Sequence, residues 1–426
     1  MQMRHARMGG DRALSSRVSI ARVKENRIEE AVRRAVELAG GLDQLIQPHT
    51  RVLVKPNLCK PAPSGSGLIT HCRVTEAVTR IVLEMGPRSV VIGEGAGAGY
   101  DFSGAHSTEE AFRASGTAEV AQKLGVEIRN LNRDAHEEVR IPRAFRMNKV
   151  KISRTALESD VIISVPVMKT HNRTHVTLGL KNMKGVLPGE EKRKTHRLGL
   201  DQSIADLNSV VKPHFTVIDG VAAMEGWWEY PADVIEMQTI IAGADAVAVD
   251  VVGAHVMGFA PESVMHLTYL AKRQQRTAAL DAIDVVGESI EEIRRRFKPA
   301  FEVFKKRYPG VSVVLGNTAC TGCVCELISA LAHVREAGFL ARMDRLSVVL
   351  GDPPKENVPT DKAVLMGKCS KDLGGIGRHV KGCPPKEDAM IRAICSICRI
   401  DADEVLASKD RVRQKIWEAT RVNLET

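Results

Sequence analysis

Several things are scarce or missing in this chain, and each absence removes a class of function. No apolar run reaches the about 18–20 residues needed to cross a bilayer. The nearest, TIIAGADAVAVDVVGAHVMGF, is interrupted by Asp245, Asp250 and glycines, which suits a buried strand followed by a helix. Aromatic residues make up only 4% of the 426 positions, and the basic residues are spread along the chain instead of forming one arm. That weighs against nucleic acid as a partner, although a net charge of +9 and an isoelectric point near 9.1 would allow it. The first sixteen residues, MQMRHARMGGDRALSS, lack the apolar core of a secretory leader and are expected to form a disordered basic tail. Without such a leader a disulfide framework is not expected. No tandem repeat and no long low-complexity tract is present. The expectation is a soluble, cytoplasmic protein whose positive balance serves an anionic small molecule or an acidic partner protein.

What is present is an alternation of strand and helix patterns. Short continuous apolar runs (RVLVKPN, SVVIGEGAGAG, DVIISVPVMKTH, HFTVIDGVAAMEG) alternate with amphipathic stretches such as RVTEAVTRIVLEM and TEEAFRASGTAEVAQKLG. Apolar strands between helices imply an α/β fold with a mainly parallel sheet covered by helices on both faces. A length of 426 residues asks for more than one core. The expected division is a tail over 1–17, an α/β domain over 18–260 and a helical connector over 261–310. A smaller cysteine-rich α/β unit with a C-terminal helix follows over 311–426.

Function in such sheets gathers where strands deliver their carboxyl ends into loops. Those ends read Lys55-Pro56-Asn57, Glu94-Gly95, Lys169-Thr170-His171 and Asp219-Gly220. The segment MKTHNRTHVTLGLKNMKGVLPG places Lys169, His171, Arg173, His175, Lys181, Asn182 and Lys184 close together, with no acid between Lys169 and Gly189. A cluster of this kind, interleaved with glycines, suits carboxylate or phosphate oxygens. Lys55, Asn57, His175, Lys181, Asn182 and Lys184 are the expected substrate-binding residues. His71, Glu94, Lys169 and His171 are the candidate catalytic groups, with a histidine or Glu94 moving the proton. GEGAGAG, residues 93–99, lacks the dinucleotide spacing and is a weak nucleotide signal. Asp219 and Asp250 are equally suited to capping loops, and the basic run EEKRKTHR reads as a local feature.

Seven of the nine cysteines fall at or after position 320. Cys320-x-x-Cys323 lets two sulfurs from one loop approach one metal or cluster. Cys369 and Cys383 each follow a strand-like run in the same unit, so loops at one sheet edge could gather all four. Pro384 and Pro385 follow Cys383, as proline often follows the ligand cysteines of iron–sulfur proteins. A 4Fe–4S cluster is favoured over zinc, whose structural sites usually use two tight knuckles. Cys325, Cys395 and Cys398 are candidates for a second metal site or for a buried helical face. Cys59 and Cys72 read as isolated thiols.

VLVKPN, VIGEGAG, VPVMKTH followed by TLGLKNMKGVLPG, and VIDGVAAMEG resemble the family catalogued as domain of unknown function 362, over roughly residues 50–260. ACTGC and GKC…VKGCPP are similar to the C-terminal extension of its iron–sulfur-type members, and imply Cys320, Cys323, Cys369 and Cys383 as cluster ligands. The chain lacks the ferredoxin-like Cys-x-x-Cys-x-x-Cys-x-x-x-Cys-Pro insert of many relatives, which weighs against a simple electron wire. The leading expectation is an iron–sulfur oxidoreductase acting on an anionic small molecule, served by a redox partner protein. An electron-transfer or cluster-carrier protein docking an acidic partner is the alternative. A zinc-stabilised RNA-binding protein is the third.

Overall fold

The computed structural model describes residues 16–97, 101, 107–226, 233–316, 318, 319, 321–412 and 414, without the side chains of Thr321 and Cys325. The strands are, in chain order, β1 (Arg17–Arg22), β2 (Arg51–Pro56), β3 (Ser89–Glu94), β4 (Glu127–Asn130), β5 (His136–Arg140) and β6 (Lys149–Ser153). There follow β7 (Val161–Val165), β8 (Val167–His171), β9 (His175–Thr177), β10 (Phe215–Glu225), β11 (Asp233–Gly243) and β12 (Asp284–Gly287). The last four are β13 (Val311–Leu315), β14 (Leu346–Leu350), β15 (Ala363–Met366) and β16 (Arg378–Val380).

The main sheet runs β12-β1-β11-β10-β7-β2-β3-β4, with β8 beside β10 and β9 beside β8. The stretch from β10 through β7, β2 and β3 to β4 is parallel, and β11 lies antiparallel between β10 and β1. The residues explain the layering. All five residues of β7 are buried, as are Val52, Leu53 and Val54 of β2, because helices cover both faces. The helix Cys72–Glu84 buries Val74, Ala77, Val78, Ile81 and Val82, the i, i+3, i+4, i+7, i+8 stripe of a half-buried helix. Each of the valine and isoleucine side chains contributes about 1.5–3 kcal/mol when fully buried. The helix Ala246–Val256 is apolar but for Asp250 and His255 and almost wholly buried. Asp245 starts it by accepting from the backbone N–H groups of Val247 and Ala248, as the Ala-Asp-Ala sequence suggests.

The division at 261–310 differs from the expected connector. β12 pairs in parallel with β1, and Val264, Leu267, Leu270, Ile290, Ile293 and Phe297 belong to the main domain's core. Only from Ala300 does the chain join the second unit, through Phe304 and Tyr308. The charged residues made 261–310 read as a linker, yet its apolar positions cover one face of the main sheet.

The second unit is a four-stranded parallel sheet in the order β13-β14-β15-β16. The helices Thr321–Glu336 and Glu387–Cys398 pack with it around one core. A mainly parallel α/β fold with a smaller C-terminal α/β unit is therefore present as expected.

Candidate functional site

The carboxyl edge of the main sheet holds a closed polar network. Lys55 Nζ donates to both oxygens of Glu94 at 3.1 and 3.0 Å, to Asn182 Oδ1 at 3.0 Å and to its neighbour Pro56's carbonyl at 3.1 Å. Glu94 also accepts the backbone N–H groups of Leu58 at 3.0 Å and Gly95 at 2.8 Å. Asn182 Nδ2 donates to the Lys55 carbonyl and to Ser164 Oγ, both at 3.0 Å. Lys55, Glu94 and Asn182 are 0%, 1% and 2% exposed, so none of the three faces an open crevice. Burial lowers the Lys55 pKa, and the charge of Glu94 opposes that. Gly185 roofs the pair: a Cβ there would lie 1.9 Å from Glu94 Oε1. These residues, expected to touch substrate or move a proton, instead form the floor beneath the site.

Lys192 belongs to the same floor and lies in the run that read as a local basic feature. Its Nζ donates to the carbonyls of Gly95 at 2.6 Å and Ala96 at 2.8 Å and to Asn132 Oδ1 at 2.6 Å. The glycine-rich loop is thereby held by a buried ammonium. Burial lowers the Lys192 pKa to about 7, but three acceptors at these distances suit the charged form, since a neutral amine has only two N–H groups to donate.

Over the floor lies a basic layer built by the β8–β9 hairpin and the short helix that follows it. His171, 3% exposed, accepts at Nδ1 from the backbone N–H groups of Arg173 (3.1 Å) and Thr174 (3.3 Å), which places its proton on Nε2. His196 Nε2 lies 2.9 Å from Lys184 Nζ. Burial holds both histidines well below the usual range. The charges of Lys181 and Lys184 act in the same direction on both. Lys181 donates to Thr177 Oγ1 at 3.3 Å, and Lys169 donates to the Leu68 carbonyl at 2.5 Å and lies 3.3 Å from Cys59 Sγ. His196 stands in the basic run EEKRKTHR, twelve residues after Lys184, and is not among the expected site residues. His175 is exposed and its ring faces Phe259, 6.0 Å between centroids.

His71 is set at the rim by different bonds. Its Nδ1 accepts from the Arg73 backbone N–H at 3.1 Å and caps the helix Cys72–Glu84, while its own backbone N–H donates to Asp219 Oδ2 at 2.7 Å. Burial, reinforced by Arg73, lowers the His71 pKa to about 4. Asn57 donates its backbone N–H to Thr70 Oγ1 at 2.8 Å, and its buried Oδ1 has no hydrogen-bond partner among the described residues. Asp250 caps a loop, accepting from the N–H groups of Gly179 at 2.7 Å and Leu180 at 2.9 Å.

The cysteines divide between two ends of the second sheet. Cys323 follows β13, Cys369 follows β15 and Cys383 follows β16, so three parallel strands deliver them to the same, carboxyl edge. Gly367, with φ +87°, sits among them: a Cβ on it would lie 3.2 Å from Cys323 Sγ and 3.6 Å from the Gly382 carbonyl. The Lys368 N–H bonds that carbonyl at 2.9 Å, tying the Cys369 and Cys383 loops together. Cys320 and the side chain of Cys325 lie outside the described residues. Among the described residues no group of three or more His, Cys, Asp or Glu side chains is arranged to hold a metal ion. Cys323, Cys369 and Cys383 at this edge carry soft sulfur donors.

Cys395 and Cys398 are elsewhere. Arg378, the first residue of β16, hydrogen-bonds Ser396, and Cys398 lines a cavity with Lys362 and Arg378, at the amino edge of the sheet. Both thiols are buried in the core, and burial pushes Cys395 up to about 11 and Cys398 upward. The structure does not bring them to Cys323, and they fit the buried helical face that was the other expectation.

The two sites touch. Arg173, in the turn between β8 and β9, donates from Nη1 to the Ala319 carbonyl at 3.2 Å, one residue before Cys320. Residues 52–255 match the family model described as Domain of unknown function (DUF362). This span contains the whole floor and basic layer, and the cysteine unit lies beyond it. A thylakoid-associated protein of Synechocystis sp. is 26% identical over 240 residues, covering 55% of this chain and 71% of that protein. Among solved structures, the lactate racemase apoprotein from Thermoanaerobacterium thermosaccharolyticum aligns at a TM-score of 0.37 and 14% identity, over 55% of this chain and 56% of that one. A protein of Thermotoga maritima aligns at 0.38 and 13% identity, over 87% and 82%. Likenesses of this size carry no argument about the chemistry. No helix among the described residues is long and apolar enough to cross a membrane.

Proposed function

We propose that the chain is a cytoplasmic iron–sulfur protein, an oxidoreductase that holds an anionic small molecule against the basic layer of its DUF362 region. A 4Fe–4S cluster would be held by Cys320, Cys323, Cys369 and Cys383. When bound, such a cluster supplies single electrons, received from a redox partner protein, or a Lewis-acidic iron. The observation that carries this reading is the Arg173–Ala319 contact, because it joins the basic hairpin to the loop that bears Cys320. Lys181 and Lys184 would neutralise the substrate's charge in a partly desolvated place, where each ion pair is stronger than in water. His171, neutral and with its proton on Nε2, would offer that proton as a hydrogen-bond donor, and His196 would orient Lys184. Lys55, Glu94, Asn182 and Lys192 hold the floor rigid beneath them.

Anaerobic purification followed by an absorption spectrum and analysis of iron, sulfide and zinc tests the proposal. Iron and sulfide with visible absorption are expected; colourless protein with stoichiometric zinc overturns the reading. Cys369→Ala should empty the site, and Cys395→Ala should leave it loaded. Cys383 is exposed, which favours a second reading, an electron carrier whose cluster lies near solvent and docks an acidic partner. In that case a small anion such as citrate should leave the spectrum unchanged, and Lys184→Gln should not alter it either.

A further inference from the structure

At the amino edge of the second sheet, opposite the cysteine loops, a cavity of about 630 Å³ opens between the start of β15, the start of β16 and the end of the helix Glu387–Cys398. Arg342, Lys362, Arg378 and Arg399 line it, against two carboxylates, Asp344 and Asp361. Arg378 donates to Ser396 Oγ and Lys362 to the Asp344 carbonyl. None of the four cations forms an ion pair with a described carboxylate, although two carboxylates share the cavity. Cys398 and Ile397 contribute an apolar side to the wall.

The backbone adds a second, independent observation. Lys362 and Arg399 both sit in the left-handed region, with φ of +46° and +56°, and Arg345, beside Asp344, has φ +60°. Glycine occupies such positions without steric cost, whereas long side chains are rarely held there. Arg399 follows a helix C-terminus, where a cation is welcome, but an arginine in the last helical turn would meet that need without the left-handed backbone. Lys362 and Arg399 thus place cations along one cavity at positions whose backbone glycine would also fit. Isolated exposed arginines are ordinary on protein surfaces. Four cations converging on a concavity within the ~300–1,000 Å³ of small-ligand sites are not.

We propose that this cavity binds a small polyanion carrying two phosphate or carboxylate groups, at a site separate from the basic layer of the main domain. Guanidinium groups present two parallel donors to such groups, and Lys362 adds a point charge. A concavity of this volume suits a small molecule.

Calorimetric titration of the full chain with pyrophosphate tests the site. Lys362→Gly and Arg399→Gly remove the cations while giving the backbone the residue its conformation prefers, so both variants should melt within about 3 °C of the parent. The parent is expected to bind saturably, and each glycine variant at least tenfold more weakly. Arg342→Gln, which alters no backbone preference, should act in the same direction. Lys184→Gln, in the other basic site, should keep the binding. No binding by the parent, unchanged binding in both glycine variants, or loss of binding in Lys184→Gln alone overturns the proposal.

Discussion

Arg173 Nη1 donates to the Ala319 carbonyl at 3.2 Å, and this bond spans 146 positions of sequence to join the β8–β9 turn to the cysteine loop. The Ala319 N–H already bonds the Gly316 carbonyl, so the loop is tied at both ends of one peptide segment. Truncating Arg173 to Ala should release the loop without unfolding either core, because the guanidinium is only partly buried. Hydrogen exchange of residues 316–324 should accelerate at least tenfold while the melting temperature moves by less than about 4 °C. Arg173→Lys should restore part of the protection. Unchanged exchange in Arg173→Ala would mean that the loop stands on its own packing.

The Lys55–Glu94 pair is buried, and each Glu94 oxygen accepts from Lys55 and from one backbone N–H. Breaking a buried pair by removing one partner costs about 3–5 kcal/mol, since the remaining charge stays desolvated. Glu94→Gln and Lys55→Met should each lower the unfolding free energy obtained from urea titration by an amount in that range. The double variant should lose at least about 1 kcal/mol less than the sum, because it leaves no lone charge behind. Additive losses would show that the two charges do not support each other.

Gly185 tests the same floor from above. An alanine methyl would overlap Glu94 Oε1 at 1.9 Å and Lys55 Nζ at 2.5 Å, and the pair has no solvent into which to withdraw. Gly185→Ala should therefore destabilise by several kcal/mol, comparably to Glu94→Gln, whereas Gly125→Ala, open to space at a helix end, should cost far less. Equal melting of the two alanine variants would show that the roof is not tight.

The α/β layering could be read from the sequence because it depends on runs such as Val161–Val165, apolar at every position but Ser164 and covered on both faces. The cysteine edge was legible for the same reason: each cysteine follows a strand, and parallel strands put their carboxyl ends together. Which polar residues face solvent was not legible. Lys55 and Glu94 stand at strand ends, where ligands usually bind, but their mutual distance of 3.0 Å is set by β2 and β3 lying side by side, a relation no local pattern carries. Lys192 stands in EEKRKTHR, which reads in the sequence only as a local basic feature. Its burial follows from the helix Gly189–Leu198 packing on the glycine loop, a tertiary fact. β12 was hidden within a charged segment for a similar reason: only its pairing with β1 identifies it.

His71 and Asp219 are bonded to each other and titrate in opposite senses. His71 falls from 6.5 to about 4 on burial, so between those values the unfolded chain binds more protons, and its contribution is lost as pH falls through the window. Asp219 rises from 3.8 to about 6, burial outweighing the backbone N–H groups of His71 and Val221. Between those values the folded chain binds more protons, and its contribution is lost as pH rises. From about pH 4 to 6 the two slopes, each at most about 1.4 kcal/mol per pH unit, oppose and largely cancel. Removing one should expose the other. Relative to the parent, Asp219→Asn should gain stability as pH rises from about 4.5 to 6, since only the His71 slope remains. His71→Gln should lose stability over the same interval. Urea midpoints at three pH values in this range measure both differences, and parallel profiles for parent and variants would show that neither group titrates in the window.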